Sequence, residues 1–543
     1  MIRITNYFVP ITNRSPLAGV AAERLHVSPS SVRAVRIVRR ALDARRYHGS
    51  PLGFVYSLDV TLADADERAV IARATHGRRR DANVSLAPEA KPSVIDALTD
   101  LSSFVSRRPV VVGFGPAGMF CALMLAHARL APLVLERGAD VDTRTAAIER
   151  FWSTGVLDET TNVQFGEGGA GTFSDGKLTS RSSDPLQRDI IEKFISAGAP
   201  EEIRYLQKPH IGTDILRNVV KNIREEIKSL GGEIRFGSTV TDIRLNGAGI
   251  RSVIVNGAEE IAADDVFMGI GHSARDTYAM LYGQGLAMEP KAFAIGVRIE
   301  HPQAMIDSVQ YGPDAHLVGD VLPVADYALT YQDRATGRGA YSFCMCPGGA
   351  VVAAASERER ITTNGMSLYA RDSGVANSAL LVQIRPDDFG GDVLGGIAFQ
   401  RKYEGLAFRV AGGDYSAPVE SVGDFLAGKS GSRDFLVTPT YRPGVRPCDL
   451  RACLPDFVTR TLADALPAFG KKIKGFDGID VPMTGVEMRS SSPCRIVRDR
   501  ATMESLGCAG LYPMGEGAGY AGGIMSAAVD GMKAALAFFH KIH

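Results

Sequence analysis

The sequence predicts an α/β fold in which a dinucleotide-binding domain is interrupted by a β-rich domain and preceded by a small α+β domain. Three observations predict it. A continuous apolar stretch at 109–113 leads through a glycine-rich turn into a helix at 116–128, as in a βαβ unit whose strand is buried on both faces. A second glycine-rich turn, followed by a helix of small residues, lies within 511–535. Between about 292 and 479, strand-like runs alternate with loops.

Length and composition agree with several domains. A chain of 543 residues is too long for one compact domain. Its patterns place the domains at 1–104, 105–280, 281–484 and 485–543, with the second and fourth segments forming one nucleotide-binding domain. The content of 45% hydrophobic and 22% charged residues is ordinary for a globular protein. Because the formal net charge is zero, no overall field attracts nucleic acid or acidic lipid.

The first hundred residues are predicted to combine strands at 2–10 and 52–62 with a helix at 32–44. They are mildly basic, with 15 Arg and Lys against 10 Asp and Glu. Such runs indicate first a solvated surface and second an RNA- or partner-binding face. The densest basic spots are Arg39, Arg40, Arg45, Arg46 and Arg78 to Arg80.

The compartment is predicted from features that the sequence lacks. The first residues have no apolar core of a secretory signal, and no run of about 18 apolar residues predicts a membrane span. The seven cysteines do not have the spacing of a disulfide framework, which fits a reducing compartment. We therefore expect a cytoplasmic protein without a membrane partner.

The first glycine-rich turn has the pattern G-x-G-x-x-G at Gly113, Gly115 and Gly118. The first glycine permits a tight turn after the strand, the second lets the backbone approach a pyrophosphate, and the third lets the helix pack on the strand. Pro116 and Ala117 begin the helix, where the missing N–H of proline costs nothing. The unpaired N–H groups of that turn would face the phosphates.

An acidic residue ends the next predicted strand, at 131–136. Glu136 lies 18 residues after Gly118, where its carboxylate can accept hydrogen bonds from ribose hydroxyls. Strand, helix and acidic strand end together predict a dinucleotide site. They do not decide between a nicotinamide and a flavin dinucleotide.

The later glycine-rich segment resembles the C-terminal motif of the glutathione-reductase-like flavoproteins. Gly515 and Glu516 precede a glycine-rich loop, and Gly523 and Ile524 begin a helix. In that family the acidic residue holds the ribityl chain, and the helix N-terminus faces the flavin pyrimidine. The resemblance implies non-covalently bound FAD.

The resemblance extends to other segments and narrows to a bacterial group of FAD-dependent dehydrogenases of largely unassigned substrate. The segment 269–272, with Gly271, resembles the third element of the larger family, and Val240 falls where a backbone group holds adenine. The match to the bacterial group covers nearly the whole chain. It rests on RRALDARRYHGSPLGFVYSLDV (39–60), NVQFGEGGAGTFSDGKLTSR (162–181), KPHIGTDIL (208–216), FAIGVRIEHPQ (293–303), YSFCMCPGG (341–349) and MRSSSPCRIVRD (488–499).

This resemblance implies further cofactor contacts within 168–177. Thr172 and Ser174 offer hydroxyls there. Lys177 offers a positive charge near the flavin N1–C2=O edge, where reduction builds negative charge, and is therefore a candidate catalytic residue. Arg144 is a candidate phosphate contact. The other implied cofactor contacts are Arg137, Gly169, Gly171 and Gly271.

The cysteines suggest little chemistry. No C-x-x-C pair marks a disulfide reductase. Cys344 and Cys346, together with Cys448 and Cys453, could in principle hold an iron–sulfur cluster, although buried structural thiols are the default. Cys346 is a candidate catalytic residue because the rigid Cys-Pro-Gly-Gly turn that it begins can present a thiol to a pocket. No spacing predicts a metal site or a hydrolase nucleophile.

We therefore expect an FAD-dependent oxidoreductase that transfers hydride between an organic substrate and flavin N5. The substrate is expected between the flavin and the inserted domain, near 344–349. Because the chain has one predicted nucleotide-binding domain and reductases that use NAD(P)H commonly carry a separate one, NAD(P)H is expected only as a transient reductant. Two alternatives stay open. One is a flavin-dependent monooxygenase, and the other is an FAD-containing RNA- or partner-binding protein that uses the basic first domain.

Overall fold

The computed structural model describes residues 1–45, 51–63, 66–75, 82–89, 91–180, 183–247 and 249–543. Arg46 and Arg78 to Arg80, which belong to the predicted basic spots, lie outside the described residues. The described part is mixed α/β and contains both parallel and antiparallel sheets. Within it, none of the helices has the length and apolar character needed to cross a membrane.

In the described part of the first hundred residues, two helices pack on a four-stranded antiparallel sheet. The strand order is β2-β3-β1-β4. The strands are β1 (Ile2–Pro10), β2 (Val32–Asp43), β3 (Gly53–Leu62) and β4 (Val84–Leu86), and the helices are α1 (Leu17–Leu25) and α2 (Glu67–Thr75).

The helix predicted at 32–44 is wrong, because this segment is strand β2. It pairs with β3 along its whole length, with register shifts between Val32 and Ala34 and between Ile37 and Arg39. Each shift displaces the alternation of inward and outward side chains. Apolar residues therefore recur at spacings that imitate a helical period, and the sequence pattern was misleading.

A five-stranded parallel sheet forms the centre of the part that is predicted to bind a dinucleotide, which we call the nucleotide-binding part. Its order is β23-β11-β5-β6-β7. Helix α3 is buried along almost its entire length between this sheet and its neighbouring helices, which explains its uniformly apolar sequence. The elements are β5 (Val110–Val112), α3 (Pro116–His127), β6 (Leu133–Leu135), α4 (Val141–Thr154), α5 (Leu186–Ser196), α6 (Thr213–Ser229), β7 (Glu233–Arg235), β11 (Val266–Met268), α7 (Arg275–Gly283), β23 (Leu511–Pro513) and α12 (Ile524–Ile542).

A small antiparallel sheet is inserted between β7 and β11. Its strands are β8 (Val240–Asn246), β9 (Gly249–Val255) and β10 (Glu259–Ala262). Strand β12 (Met288–Pro290) precedes the β-rich part in the chain and strand β22 (Cys494–Ile496) follows it. The two strands pair with each other and form an antiparallel two-stranded sheet.

The β-rich part is a seven-stranded mixed sheet in the order β14-β15-β18-β13-β21-β19-β20, with a separate hairpin of β16 and β17. The strands are β13 (Phe293–Pro302), β14 (Thr330–Gln332), β15 (Gly339–Cys346), β16 (Gly349–Ala353), β17 (Thr363–Ser367), β18 (Val375–Ile384), β19 (Ala417–Ser421), β20 (Val445–Pro447) and β21 (Pro482–Glu487). The helices are α8 (Gln303–Tyr311), α9 (Gly395–Val410), α10 (Val422–Ala427) and α11 (Asp456–Gly470).

The two faces of this large sheet differ. One face packs with α8, α9 and α11 in the largest hydrophobic cluster. The other face is lined by aliphatic and aromatic residues, namely Ala294, Ala379, Leu381, Tyr341 and Phe343. We call the second one the open face. It is bordered by the segment that returns to the nucleotide-binding part.

Candidate cofactor site and interdomain cleft

Four turns follow the carboxyl ends of neighbouring strands in the parallel sheet. They come after β5, β6, β11 and β23, in the chain segments that contain Gly113, Glu136, Gly271 and Gly515. Parallel strands end at the same edge of their sheet, and ligands of open α/β sheets bind outside that edge. The site predicted from separate pieces of sequence is therefore assembled at one edge.

The glycines of the first turn are required by close contacts. Gly113 has φ of 91° and faces Gly269, whose carbonyl oxygen would lie 2.4 Å from an added Cβ. At Gly118 an added Cβ would lie 1.9 Å from the carbonyl oxygen of Gly113. Pro116 begins α3, and Gly115 precedes it in an extended conformation. The backbone of this turn is thus left bare, and the helix N-terminus points out of it.

Glu136 fastens two turns together. It is 5% exposed, and one carboxylate oxygen accepts from the N–H of Phe114 at 2.7 Å. The other oxygen accepts from Gly138 and Gly166, both at 2.9 Å. Since a carboxylate offers about four acceptor positions, this leaves acceptor capacity beside the first turn.

A second glycine turn packs directly on the first. Gly169 has φ of 64°, and an added Cβ would lie 2.8 Å from the Cα of Gly115. At Gly171 an added Cβ would lie 2.8 Å from Ile524, the first residue of α12. Ala117 is close to Gly515, whose added Cβ would lie 2.8 Å from the alanine Cβ. Segments far apart in sequence therefore meet around the start of α3.

Arg144 holds the second turn from beneath. Its guanidinium is fully buried and donates to the carbonyl oxygens of Asn162, Val163, Gly166, Glu167 and Gly169 at 2.6–3.2 Å. Burial lowers the pKa of Arg144 to about 9. Because its donors are used by these carbonyls, we reassign Arg144 from the predicted phosphate contact to the framework of the turn.

The hydroxyls of the second turn also serve the turn itself. Thr172 is fully buried, and its hydroxyl donates to the carbonyl of Glu167 at 3.5 Å. Ser174 donates to the carbonyl of Gly171 at 2.7 Å and accepts from Gly176 at 3.1 Å. The structure therefore gives both hydroxyls a partner within the loop.

Glu516, the acidic residue of the last glycine-rich turn, faces the cleft between the two parts of the molecule. Oε1 of Glu516 accepts from the N–H of Ser492 at 3.0 Å, while Oε2 lies on the side of Gly522. Burial raises the pKa of Glu516, although the Ser492 N–H and Lys291 oppose that rise. The preceding Gly515 is held by its N–H, which donates to Asp530 at 2.7 Å.

Two glycines of the predicted site face open space. Gly271 and Gly523 have φ of 70° and 86°, and no atom lies within 4 Å of an added Cβ at either position. Gly523 caps the N-terminus of α12. These bare positions at the edge of the sheet fit the close approach of a bound group.

The remaining predicted contacts lie at the Glu136 end of the site. Val240 begins β8 and is buried, and the nearby N–H of Ser238 donates to the carbonyl of Glu136 at 2.8 Å. Arg137 donates to Asp276 at 2.8 Å and to Thr277 at 3.1 Å. Its guanidinium is therefore occupied by neighbouring side chains.

Lys177 lies beside the β-rich part. Its ammonium donates to the carbonyl of Met345 and pairs with Asp175 at 3.3 Å. Asp175 also accepts two hydrogen bonds from Arg371, at 3.0 and 2.5 Å, and one from Ser367. Burial would raise the pKa of Asp175, but Lys177 and Arg371 outweigh it and lower that pKa. This ion cluster ties the second glycine turn to the strand that ends at 346.

The two neighbouring thiols of that strand differ. Cys346 is 1% exposed, its Sγ contacts the carbonyl of Cys344 at 3.2 Å, and burial raises its pKa. These features oppose the reactive thiolate that the sequence suggested for Cys346. Cys344 is solvent-accessible, with φ of 41°, yet the surrounding protein raises its pKa to about 11. Cys344 is thus the accessible thiol of the pair, next to Met345, whose carbonyl accepts from Lys177.

The iron–sulfur cluster that the four cysteines could in principle have held is not assembled among the described residues. Cys448 and Cys453 belong to the side of the β-rich part where α9 and α10 pack, and Cys453 lies in its hydrophobic core. Among the described residues no group of three or more metal-ligating side chains is close enough to hold a metal ion.

A buried ion network joins the two parts of the molecule, and the sequence analysis missed it. Glu404 of α9 is fully buried and binds Arg275 through both oxygens, at 2.7 and 2.9 Å. It also accepts from Arg489 at 2.9 and 3.1 Å. Burial would raise the pKa of Glu404, but Arg275 and Arg489 outweigh it and hold that pKa at about 2. Glu404 lies 129 residues after Arg275 and 85 residues before Arg489. No local sequence pattern therefore predicts these ion pairs.

The basic residues of the first domain are partly engaged within the molecule. Arg40 stacks over the rings of Phe54 and Tyr205, and its backbone bonds to residues 205 and 207. Arg45 pairs with Asp43 at 2.7 Å. The strand that suggested a nucleic-acid surface thus also contacts the nucleotide-binding part.

Comparison with known proteins agrees with the flavin expectation. A family model described as "FAD-dependent protein, C-terminal domain-like" matches residues 292–490. An uncharacterized protein of Clostridium beijerinckii is 47% identical over 514 residues, covering 94% of this chain and 93% of that protein.

Similar solved structures are more distant. A mutant of the halogenase PltM in complex with FAD has a TM-score of 0.38 and 10% identity, covering 81% of this chain and 69% of that one. L-proline dehydrogenase from P. horikoshii has a TM-score of 0.34 and 12% identity, covering 80% and 94%. Likenesses at this level support no inference about function. On the family model and the bacterial relative, the chain is an FAD-dependent flavoprotein and belongs to the same family as the Clostridium beijerinckii protein.

Proposed function

We propose that this chain is an FAD-dependent oxidoreductase of the glutathione-reductase-like type, which passes a hydride between an organic substrate and flavin N5. One observation carries the proposal. Four turns at the carboxyl edge of one parallel sheet lie close to the open face of a second sheet. Glu516 of the last turn accepts from Ser492, and two residues earlier Ser490 bonds to Ala294 of the open face. The edge suits a dinucleotide, and the cleft beside it suits a substrate.

The residues at the edge fit FAD. The bare turn at Gly113 to Gly118 and the N-terminus of α3 would hold the diphosphate. Glu136 has acceptor capacity for ribose hydroxyls, and Val240 would lie near the adenine. Glu516 and the open N-terminus of α12 at Gly523 would hold the ribityl chain and the pyrimidine. When bound, FAD supplies the hydride and electron chemistry, whereas the protein supplies position and electrostatics.

Lys177 is the cation best placed to influence that chemistry. Its side chain is about one-third exposed and is fixed between Asp175 and the carbonyl of Met345. A fixed cation stabilises negative charge that develops nearby. We infer that Lys177 raises the flavin potential. A Lys177→Met variant should then keep FAD and show a more negative midpoint potential.

FAD binding at Glu136 is tested by titration of the apoprotein. The protein should purify yellow and release FAD on acid precipitation. Glu136→Ala should weaken FAD binding by about 1–3 kcal/mol, the range for a lost charge-assisted hydrogen bond. Glu259→Ala, at an exposed position on β10, is the matched control. An unchanged dissociation constant for Glu136→Ala would remove this residue from the FAD site.

The oxidoreductase assignment is tested by anaerobic reduction. Metabolite pools, and separately NADH and NADPH, are added to the holoprotein while the flavin absorption is followed. Bleaching by a pool fraction identifies a donor and supports the proposal. If reduced enzyme instead transfers isotopically labelled oxygen from O2 into a product, the monooxygenase alternative replaces it. If no fraction bleaches the flavin and none reoxidises the reduced form, the proposal fails.

A further inference from the structure

A cavity of about 440 Å³ lies at one end of the open face, within the usual size range of small-molecule sites. We call it the open-face cavity. Its wall combines the ends of β13, β14, β15 and β18 with the segment that follows β21. It is lined by Ala292, Phe293, Ala294, Gln332, Gly339, Tyr341, Phe343, Gln383, Ser490 and Ser491.

The chemistry of this lining is uncharged. Tyr341 and Phe343 contribute aromatic rings at right angles to each other, with centroids 6.4 Å apart. Gln332 and Gln383 are exposed at the rim and contribute amide groups, and Ser490 contributes a hydroxyl beside Ala294. No charged side chain is among the residues that line the cavity.

Two cations adjoin the lining and are engaged by other groups: Arg338 donates to the Gln383 carbonyl at 2.9 Å and pairs with Asp388 at 2.5 Å. Lys291 precedes the lining residues, and its ammonium lies 3.4 Å from both the Ser491 hydroxyl and the Ser492 carbonyl. Burial lowers the pKa of Lys291, although Glu516 opposes that shift. Lys291 thus belongs to the boundary between the cavity and Glu516.

The lining of the cavity is joined by a short chain segment to the proposed flavin end of the cleft. Ser490 bonds to both backbone groups of Ala294, and two residues later the N–H of Ser492 donates to Glu516. Phe343, another lining residue, is followed in the chain by the accessible Cys344. Three residues of the chain, 490–492, therefore link the cavity lining to the residue assigned to the ribityl chain.

We propose that the open-face cavity binds the planar, uncharged end of the substrate, an aromatic or quinone-like ring that carries a carbonyl, amide or hydroxyl group. The proposal rests on the proposed function, since it names the substrate class of the same cleft. Aromatic walls favour a flat ring, and amide and hydroxyl groups can pair with its polar substituent. An ionised ligand would lose hydration without gaining a counter-charge.

The test uses two probes of nearly identical shape. 2-Naphthamide is uncharged, whereas 2-naphthoate is a carboxylate at neutral pH. Binding to the FAD-loaded protein is measured by calorimetry and by the change in the flavin absorption spectrum. We expect 2-naphthamide to bind at least about tenfold more tightly than 2-naphthoate, because of the cost of burying the unpaired charge.

A charge introduced at the rim should change this preference. Gln383→Lys should bring the affinity for 2-naphthoate up to or above that for 2-naphthamide, since it supplies the missing cation. Gln310→Lys is the matched control, because Gln310 is exposed on α8, which packs on the opposite face of the sheet. Both lysines replace exposed glutamines, and retained FAD content confirms that the fold is intact.

Removal of an aromatic wall gives a second test. Tyr341→Ala should weaken 2-naphthamide binding several-fold, whereas Tyr282→Ala, at a tyrosine that is 49% exposed on α7, should not. Equal affinity for the two probes, or no binding of either, overturns the cavity proposal. So does competition between 2-naphthamide and FAD, which would make the cavity part of the cofactor site. These outcomes are independent of whether the flavin can be reduced, so they separate this proposal from the proposed function.

Discussion

The glycine turns at the sheet edge and the ion network around Glu404 order neighbouring parts of the molecule in opposite ways. The turns meet because they lack side chains: an added Cβ at Gly118 or Gly169 would overlap the backbone opposite. The network meets through side chains, with one carboxylate between two arginines. The first arrangement depends on shape and the second on charge.

The difference decides how each region tolerates change. A methyl group is enough to disturb a turn, whereas the network is sensitive to the loss of a partner. A buried ion that loses its counter-charge keeps its desolvation penalty without compensation. We therefore expect the network to respond more strongly to single substitutions than the turns, although only the turns contact the cofactor in our proposal.

The largest expected effect is the loss of Glu404. Glu404→Ala leaves Arg275 and Arg489 buried without their shared carboxylate, and should lower the free energy of unfolding by about 3–5 kcal/mol. Chemical denaturation of the holoprotein measures it. The control is Glu225→Ala, which removes a half-exposed carboxylate from its pairs with Lys228 and Arg224. Because Arg224 keeps its pair with the buried Glu167, this change should cost less than about 1 kcal/mol. Similar losses for both variants would contradict the contrast.

A methyl group in the first turn should have the next largest effect. Gly118→Ala places a Cβ against the Gly113 carbonyl, and should cost about 1–3 kcal/mol of stability through overpacking as well as weaken FAD binding. Gly19→Ala adds the same methyl group inside helix α1, where nothing lies within 4 Å. There the better helix propensity of alanine should gain up to about 1 kcal/mol. A neutral Gly118→Ala would show that the turn is more open than the structure indicates.

The pH dependence of stability should distinguish buried carboxyl groups that have an arginine partner from those that have none. Burial raises the pKa of Glu300 to about 7 despite hydrogen bonds from Thr440. A raised acid pKa gives stability that is complete below the ordinary value near 4.5 and is lost as pH rises through 7. Between about pH 5 and pH 6 the loss should be about 1 kcal/mol. Glu300→Gln should flatten this part of the stability profile, and an unchanged slope would contradict the assignment.

Glu404 should make stability depend on pH in the opposite direction. Because its pKa is held at about 2, its contribution is present above the ordinary value and is lost as pH falls through 2. The wild-type profile should therefore weaken at both ends, with the acid limb reduced in Glu404→Gln and the neutral limb reduced in Glu300→Gln.

The smallest expected effect is the alkylation of Cys344 and Cys346, which should leave the free energy of unfolding unchanged. Iodoacetamide should label Cys344 before Cys346, since the former is accessible and the latter is buried. Labelling should be slow at neutral pH and faster near pH 9, because the pKa of Cys344 is about 11 and the thiolate is the nucleophile. Mass spectrometry of peptides gives the order. Prior labelling of Cys346 would show that the strand end is exposed differently.

Local sequence patterns were sufficient to predict elements whose residues are close together in the chain. The strand expected at 109–113 is Val110–Val112, and the helix expected at 116–128 is Pro116–His127. The first domain shows the limit, since the bulges of β2 removed the alternation that identifies a strand. Arg144 and Cys346 show another limit, because the pattern identified the residue type but not the direction in which the side chain points.

The sequence by itself determined the glycine turns, the acidic residues at the strand ends and the expectation of FAD, because a nucleotide-binding turn needs particular residues at fixed short spacings. Only the tertiary structure decided which of Cys344 and Cys346 is accessible and that Arg144 lies beneath a turn. It also decided how Glu404 is paired and where the open-face cavity lies. Those features join residues that are far apart in the chain. Their contacts depend on the packing of one sheet against another, and that packing leaves no periodic trace in the sequence.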